Sequence, residues 1–439
     1  MTDALPASLT MPANGRLIAP EQTSVTVKSR PMTASASSPA GPSIAVVALA
    51  GSVSLAVAMG VGRFAFTPLL PMMLRDGTID IAQGSWLATA NYLGYLAGAL
   101  LCMVLPRSWS GAVMIRSGLI ATVLLTLGMA LPLPALWPLL RFLAGVVSAV
   151  VFVFTAGWCL ARLARLGAPA MAGAIFTGPG LGIALSGLAA TVMVAVHWSA
   201  ATGWLVFALL AAVLSVVVWP VFKGADPAAP SAAATAPPPA PPAPVGGGTA
   251  EMTVFTLAYG LAGFGYIITA TFLPVIAREA LPGSVWLDLF WPILGLAVVA
   301  GALLTTRVPT RFDTRLVLAV CYAIQGLGVI LTLFVSSLAG FIVSSALVGL
   351  FITSISFFAM QEARRLRPHH AARFMGLLTA LYGIGQIAGP PLTAALLARL
   401  PSRAEGFGWS LGIASAALAA GACLYVVMYV VWPRRTARA

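Results

Sequence analysis

Charged residues are scarce in this sequence, and their scarcity excludes most soluble classes of protein. Asp, Glu, Lys and Arg make up 8% of the 439 residues, whereas a soluble domain carries roughly 25%. Hydrophobic residues make up 60%, and the mean hydropathy is +0.98. So few charges cannot cover a surface that faces water, and we expect lipid to surround most of the chain. Backbone groups in lipid need internal partners, and continuous apolar runs of ~20 residues predict helices rather than a barrel.

Carboxylates are absent from the middle of every apolar run. All eleven acidic residues lie in tails, in loops or at the ends of runs. Proton relays in membrane proteins normally use a carboxylate at mid-membrane. Proton coupling would therefore need Glu279 or Asp288 to lie deeper than the ends of their runs. Otherwise the proton would travel with an anionic substrate, or coupling would be absent.

Histidine and cysteine are few, and their spacing excludes a metal site. The four Cys fall inside apolar runs, and two of the three His, His369 and His370, are adjacent. Adjacent histidines point in different directions from a helix, so neither set has the spacing of metal ligands. We expect no metal, no cofactor and no enzyme chemistry, because no reactive Ser/His pair or interfacial carboxylate set is present. The net charge of +13 is spread over short loops, which argues against nucleic acid as a partner.

Twelve apolar runs predict twelve transmembrane helices in two groups of six. They cover residues 44–73, 82–105, 111–131, 134–161, 168–196, 202–222, 252–277, 285–306, 315–336, 338–361, 372–398 and 407–432. The apolar runs and the polar segments between them give the domain boundaries. A disordered tail (1–42) precedes the first half (43–222), a Pro/Ala/Gly-rich linker (223–251) joins it to the second half (252–432), and a basic tail (433–439) ends the chain.

The distribution of Lys and Arg predicts the orientation. If both termini lie on one side, that side holds seventeen of the 24 basic residues, Arg315 among them, and the other side holds four. Cytoplasmic loops carry the excess of positive charge. We therefore predict a multi-pass protein of a bacterial inner membrane, with both termini in the cytoplasm, and we expect a monomer.

One numerical offset relates the two halves. Gly62 and Gly265 differ by 203, as do Pro71 and Pro274. The same offset relates Gly180-Leu-Gly182 to Gly383-Ile-Gly385. Because the same offset relates two pairs of segments that lie far apart in the sequence, we predict a membrane protein whose second half repeats the first. We interpret these residues, together with Pro68, as sites where helices pack closely or shift.

Several blocks of sequence resemble one transporter family. They are GRFAFTPLLP at 62–71, WLATANYLGYLAG at 86–98, ARE at 277–279, DLFW at 288–291 and GIGQIAGP at 383–390. These blocks resemble the YbfB/YjiJ family of the major facilitator superfamily. The resemblance implies an all-α membrane protein of twelve transmembrane helices, arranged as two pseudo-symmetric six-helix bundles. It also implies a secondary transporter that works by alternating access, without specifying a substrate.

Two arginines inside the apolar runs are the first candidates for binding substrate. A charge within a membrane segment is costly and usually faces a cavity. Arg63 and Arg141 could together clamp a carboxylate or another anion. The alternative is that each reaches the outer interface or caps carbonyls freed near a proline.

Four polar residues on other helices are further candidates for substrate binding. They are Asn91, Tyr95, Tyr266 and Gln386. The alternative for each of them is hydrogen bonding between helices, which is common in membranes.

These features predict a secondary active transporter of a small organic molecule. The arginines favour an anionic cargo. Gly178-Pro179 with Gly182 partly resembles the antiporter signature of the superfamily, which favours export. The alternatives are a transport-inactive sensor of the same fold, or a uniporter or importer of organic anions. A channel is not favoured, because no continuous pore-lining ring of charge is visible.

Overall fold

The computed structural model describes residues 42–106, 109–168, 171–222, 248–281, 289–305, 307–309, 312–335, 337–367 and 371–433. These residues form helices and the short connections between them. The helices are α1 (Ile44–Leu55), a π-helix (Ala56–Phe64), α2 (Phe66–Arg75), α3 (Ile81–Val104), α4 (Gly111–Gly128), α5 (Trp137–Arg165), α6 (Ala172–Ile175), α7 (Gly178–Ala195), α8 (Ala200–Val218), α9 (Thr249–Ala280), α10 (Phe290–Thr305), α11 (Thr314–Phe334), α12 (Leu338–Leu366), α13 (Ala371–Arg399) and α14 (Arg403–Val431). Most of the N-terminal tail, most of the linker, most of the C-terminal tail and Asp288 lie outside the described residues.

Short polar residues at the ends of the apolar runs start many of these helices. Asp80 accepts a hydrogen bond from the backbone N–H of Gln83, whose side chain accepts from the N–H of Asp80, a capping box. Serine side chains cap α1, α4, α8, α12 and α14. Each cap provides a partner for a backbone N–H that the helix itself leaves unpaired. The capped ends therefore fix where each apolar run enters the bundle.

Ten segments within the described ranges are long and apolar enough to cross a membrane. Two further predicted spans, 285–306 and 372–398, correspond to the shorter apolar helix α10 and to α13. Large apolar side chains lie on the outside, such as Leu209, Val216 and Phe334, which are 65%, 71% and 79% exposed. An exterior of this kind suits lipid rather than water. The structure is therefore that of an all-helical, multi-pass membrane protein.

Two segments lie at the centre of the bundle. In α9, 83% of the most apolar 18-residue stretch is buried inside the molecule, and in the segment Ile44–Arg75 the buried share is 72%. The buried share in the other eight spans is 33–56%. Every residue of the π-helix is buried. The stretch that carries Arg63 is thus enclosed by other helices, as is its counterpart in α9.

Local sequence explains the π-helix at the centre. Pro68 has no backbone N–H, so carbonyls one helical turn before it lack their usual donor. Gly60 and Gly62 remove side chains where the chain is crowded: an added Cβ on Gly60 would contact the backbone of Gly182. Isolated π-helical turns occur frequently at functional sites. The wide turn exposes carbonyl groups that a side chain from another helix can reach.

Glycine contacts recur at the offset of 203 residues. Gly182 packs on Ala56 of the π-helix and Gly385 packs on Gly260 of α9, with an added Cβ 2.5 Å from each carbonyl oxygen. Gly180 packs on Gly295 of α10, and Gly383 packs on Leu96 of α3. Gly182 and Gly385 thus contact the two central segments, the π-helix and α9. Gly180 and Gly383 instead contact α10 and α3, each of which belongs to the other predicted half.

A second set of glycine contacts repeats at nearly the same offset, which is 203 residues from α3 to α10 and 204 from α5 to α12. Gly98 packs on the carbonyl of Val146, and Gly301 on that of Leu350. Gly145 packs on the carbonyl of Asn91, and Gly349 on that of Leu294. Helix pair α3/α5 thus has the same close approach as pair α10/α12. Gly62 and Gly265 differ in this respect, because an added Cβ would meet Thr122 and Leu418 respectively.

Substituting Gly182 by alanine should lower the thermal stability of the protein in detergent. The new methyl group would lie 2.5 Å from a backbone oxygen of Ala56 and 2.7 Å from Cα of Gly60, and overpacking of this kind costs about 1–3 kcal/mol. Gly412→Ala is the matched control, because nothing lies within 4 Å of its added Cβ. Size-exclusion chromatography after heating measures both variants, and equal apparent Tm values would contradict the packing role.

Candidate functional site

Arg63 is buried in the middle of the molecule, where three helices meet. Its side chain is 3% exposed. Its Nη2 donates a hydrogen bond of 2.6 Å to Oε1 of Gln386 on α13. The centre of its guanidinium lies 3.9 Å from the ring centroid of Tyr95 on α3, and 5.4 Å from that of Tyr92. The cation is therefore held by an amide and by aromatic faces.

Gln386 continues the contact to α9. Its Nε2 donates a hydrogen bond of 2.6 Å to the hydroxyl of Tyr266. Both atoms of the amide are thus engaged, the oxygen by a cation and the nitrogen by a hydroxyl. The four residues Arg63, Tyr95, Tyr266 and Gln386, each predicted from a different run, form one connected cluster.

A stack of tyrosines extends the cluster along α9. The ring of Tyr382 lies 5.0 Å from that of Tyr259 and 5.9 Å from that of Tyr266, at interplanar angles of 26° and 25°. The hydroxyl of Tyr259 donates to Ser356 on α12. Tyr95 and Tyr382 are half-buried, whereas Tyr266 and Gln386 are buried. Aromatic side chains from α3, α9 and α13 therefore line the cluster around Arg63.

The cluster has more hydrogen-bond donors than acceptors. Among the ion pairs between described residues, none includes Arg63 or Arg141. Nε of Arg63 has no hydrogen-bond partner within the described part of the chain, and neither has Nε1 of Trp291, whose ring lies 6.4 Å from that of Phe64. A buried cation without a carboxylate, beside donors without acceptors, is an environment that favours an anion.

Arg141 is buried close by but engages the backbone. Its Nη1 and Nη2 donate to the carbonyl oxygens of Gly62 and Arg63, at 3.2 and 2.9 Å, and its side chain is 2% exposed. These carbonyls belong to the wide turn just before Pro68. The contact is the second of the two alternatives considered for this residue, capping of carbonyls freed near a proline. It fixes the backbone on which Arg63 is carried.

Asn91 supports this arrangement from α3. Its Nδ2 donates to the carbonyl oxygen of Arg141 at 2.9 Å, and its side chain is completely buried. The structure therefore places Asn91 behind Arg141 and not in contact with the guanidinium of Arg63. Of the six predicted binding residues, Arg141 and Asn91 thus hold the backbone. Gln386 and Tyr95 contact the guanidinium of Arg63, and Tyr266 is linked to it through Gln386.

Hydrogen bonds close the bundle on the α2 side of Arg63. Thr67 donates to the carbonyl oxygen of Ala270 at 3.2 Å, and the hydroxyls of Tyr92 and Thr271 lie 2.9 Å apart. Between described residues, these two and the Arg63–Gln386 bond are the hydrogen bonds that join helices α1–α8 to helices α9–α14. Two of them involve Arg63 and Thr67, and the third involves Thr271, which directly follows Ala270, the partner of Thr67, on α9.

The acidic residues considered for proton coupling lie away from this cluster where the structure describes them. Glu279 is exposed at the end of α9 and accepts a hydrogen bond of 3.2 Å from Nη1 of Arg403. Asp288 lies outside the described residues. The proline candidates Pro68, Pro71 and Pro274 are all buried in the two central segments.

A second buried arginine site lies at the start of α11. Arg315 is completely buried, with Asp313 accepting from its Nε and Nη2 at 3.1 and 2.9 Å. Its Nη1 donates to the carbonyl oxygens of Met428 and Trp432, at 3.0 and 2.6 Å, and lies 3.6 Å from Glu251. From the sequence, Arg315 is predicted to lie on the cytoplasmic side, at the first residue of the run 315–336. The signal in the sequence that could have indicated this ion pair is an acidic residue two positions before an arginine at the start of a run. Asp313 also caps α11, which holds its carboxylate beside Arg315.

The fold and the cluster define a class of protein: a helical multi-pass membrane protein with a buried, cationic, aromatic-lined centre. Comparison with family models then identifies it further. The chain belongs to the family described as "Uncharacterised MFS-type transporter YbfB", whose model matches residues 55–426. The resemblance drawn from the sequence is confirmed, and the protein is a membrane transporter of the major facilitator type.

A solved structure of a mutant of the nucleoside transporter NupG has a similar fold. The TM-score is 0.70 at 14% sequence identity, and the match covers 87% of this chain and 100% of that one. At that identity, the likeness concerns the fold alone. The comparison with curated proteins gives no match.

Proposed function

We propose that this protein is a secondary carrier of a small organic anion, with Arg63 as the residue that binds the anionic group. The observation that carries the proposal is a guanidinium only 3% exposed whose polar partner is a neutral amide. Burying a charge is costly unless a counter-charge compensates it. An anionic cargo supplies that counter-charge. Arg141 and Asn91 act as positioning residues, since their contacts are with the backbone around Arg63.

We further propose twelve membrane-spanning helices in two six-helix halves related by a pseudo-two-fold axis. Three observations support this arrangement. The glycine contacts of α3/α5 recur in α10/α12, and those of the α7 glycines recur in α13. Thr67 and Ala270, which differ by 203, contact each other. Equivalent residues meet in this way where they lie beside a symmetry axis.

The proposed transport cycle alternates access by rocking one half against the other. The positive-inside rule places the α2 end of the bundle on the outer side. The bonds from Thr67 and Tyr92 then close the outer side, which leaves the cytoplasmic side as the route to Arg63 in this conformation. Opening outward requires those contacts to separate.

A cross-link between α2 and α9 should stop transport. Thr67→Cys with Ala270→Cys, in a background without the four native cysteines, places two thiols where the closed side makes its contact. Oxidation should abolish exchange across proteoliposomes, and reduction should restore it. Each single variant, oxidised in the same way, is the control. Unchanged exchange in the fully cross-linked protein would contradict alternating access at this position.

The direction we propose is export, on the partial antiporter signature at Gly178, Pro179 and Gly182. Deletion of the gene, followed by metabolite profiling of cells and medium, tests cargo and direction together. The expected result is an organic anion that accumulates inside and decreases outside. An anion depleted inside the deletion strain would indicate import. No change in any metabolite, together with no counterflow in proteoliposomes, would favour a sensor of the same fold.

A neutral planar cargo is the second candidate. The near-parallel stack of Tyr259, Tyr382 and Tyr266 favours flat rings, and NupG, whose fold is similar, is a nucleoside transporter. Counterflow with benzoate, benzamide and uridine separates the two candidates. Exchange of benzamide or uridine without exchange of benzoate would overturn the anion proposal.

A further inference from the structure

Gln386 makes contacts that a bound carboxylate would make. Its Oε1 accepts the 2.6 Å hydrogen bond from Nη2 of Arg63, and its Nε2 donates to Tyr266. With the nitrogen fixed by a hydroxyl, the oxygen stays directed at the guanidinium. An amide oxygen is a weaker acceptor for a guanidinium than a carboxylate oxygen, because charge-assisted bonds are roughly twice as strong.

Because of these contacts, we propose that the amide oxygen of Gln386 stands in for the anionic group of the cargo and is displaced by it. The inference rests on the proposed function and assigns a further residue to the same site. When a cargo carboxylate takes Nη2 of Arg63, the bond that joins the π-helix to α13 is lost. The lost bond is one of the three hydrogen bonds that join helices α1–α8 to helices α9–α14 between described residues, and its loss leaves the Gln386 amide held by Tyr266 within the second proposed half. Binding of the anion is thereby linked to release of one contact that holds the closed side together.

The half-buried tyrosines indicate which anions suit the site. A cargo that reaches Arg63 passes Tyr95 and Tyr382, the aromatic side chains of the cluster that retain exposure. A monocarboxylate that carries a ring gains aromatic contact there in addition to the ionic bond. Benzoate is therefore the probe, and benzamide is its neutral analogue of the same shape.

Gln386→Glu tests the inference without any ligand. The substitution is isosteric and puts a carboxylate beside Arg63. If the site is built for an anion, the new carboxylate should pair with the guanidinium, and the apparent Tm should be equal to or higher than that of the wild type. In an Arg63→Gln background, the same substitution should lower the apparent Tm, because the carboxylate then has no cation.

Gln325→Glu is the matched control. Gln325 is also a buried glutamine, 1% exposed, but its Nε2 donates to the carbonyl oxygen of Val348, and none of its hydrogen bonds in the described chain involves a cation. This substitution should lower the apparent Tm in both backgrounds. The inference is overturned if Gln386→Glu lowers the apparent Tm as much with Arg63 present as without it.

Ligand binding gives the second measurement. Gln386→Leu removes the competing oxygen, so benzoate should raise its apparent Tm at concentrations several-fold lower than those the wild type needs, and benzamide should have no effect. Gln386→Glu should show no response to benzoate and no counterflow. If benzoate affects neither protein while the stability comparison gives the expected signs, the stand-in role holds and the choice of ring-bearing monocarboxylate is wrong. If benzamide acts as well as benzoate, the proposed anionic cargo is wrong and the displacement fails with it.

Discussion

Replacing Arg63 by glutamine should reduce binding and transport of the anionic cargo at least tenfold, while the protein still folds. The guanidinium is the charge that the cargo is proposed to neutralise, and a hydrogen bond to a charged group contributes about 1.5–3 kcal/mol, which is about 10–150-fold in affinity. Folding should be maintained or improved, because the substitution removes a buried charge whose desolvation is costly. Counterflow in proteoliposomes measures the loss, and the apparent Tm in detergent measures folding.

The control for this prediction is a second arginine of the same half. Arg116 lies on α4, donates to the carbonyl oxygen of Trp219 at 3.1 Å, and has its guanidinium 4.9 Å from that ring. Arg116→Gln should leave the affinity for cargo unchanged and affect stability alone. Arg63→Lys should recover only part of the activity, since lysine keeps the charge but lacks the planar fork that binds a carboxylate through two parallel bonds. Full transport by Arg63→Gln would show that the anion binds elsewhere.

Much of the central cluster could be predicted from the sequence because membrane segments contain so few polar residues. A charged or amide side chain in an apolar run usually faces the interior of the bundle, because contact with lipid is costly. Arg63, Tyr95, Tyr266 and Gln386 were selected on that ground, from four different runs, and the structure brings them into contact. The repeat at 203 residues helped, since it related Arg63 to Tyr266 before any distance was known.

The structure adds what no pattern of single residues encodes. Periodicity does not distinguish an α-helix from a π-helix over residues 56–64, and the change depends on Pro68, on Gly60 against Gly182, and on a donor from another helix. Arg141 carries the same charge as Arg63, yet its partners are carbonyls. Sequence alone leaves both the clamp and the cap open for Arg141, because they differ only in the direction of one side chain.

Arg315 shows the same limit at the end of a helix. Its place at the start of a run, among other arginines of the predicted cytoplasmic side, does not indicate burial, but the structure buries it completely between Asp313, Glu251 and the last turn of α14. The offset of 203 residues leads to uncharged counterparts at the equivalent positions of the first half. Glu251, Asp313 and Arg315 correspond to Ala48, Ser110 and Ala112. These positions are therefore charged in the predicted second half and uncharged in the predicted first half.

Replacing Arg315 by methionine should be among the most destabilising substitutions in the protein. It removes the cation that Asp313 and Glu251 face, and it removes the donor to two carbonyl oxygens of α14. Breaking a buried ion pair by removing one partner costs about 3–5 kcal/mol. The apparent Tm in detergent and the yield of folded protein should both fall, whereas Arg403→Met, at an exposed ion pair, should change neither by a measurable amount.

The uncharged first half supplies the variant that separates charge from packing. Replacing the charged set by its counterparts, as Glu251→Ala, Asp313→Ser and Arg315→Ala together, removes both carboxylates that face Arg315 along with the cation. Well-packed uncharged residues can match or exceed a buried ion network in stability, and the first half shows that this fold accommodates them. The combined variant should therefore be more stable than Arg315→Met alone, although it carries three substitutions instead of one. A combined variant less stable than the single one would mean that Arg315 acts mainly through its donors to Met428 and Trp432, and that the carboxylates contribute little to the cost.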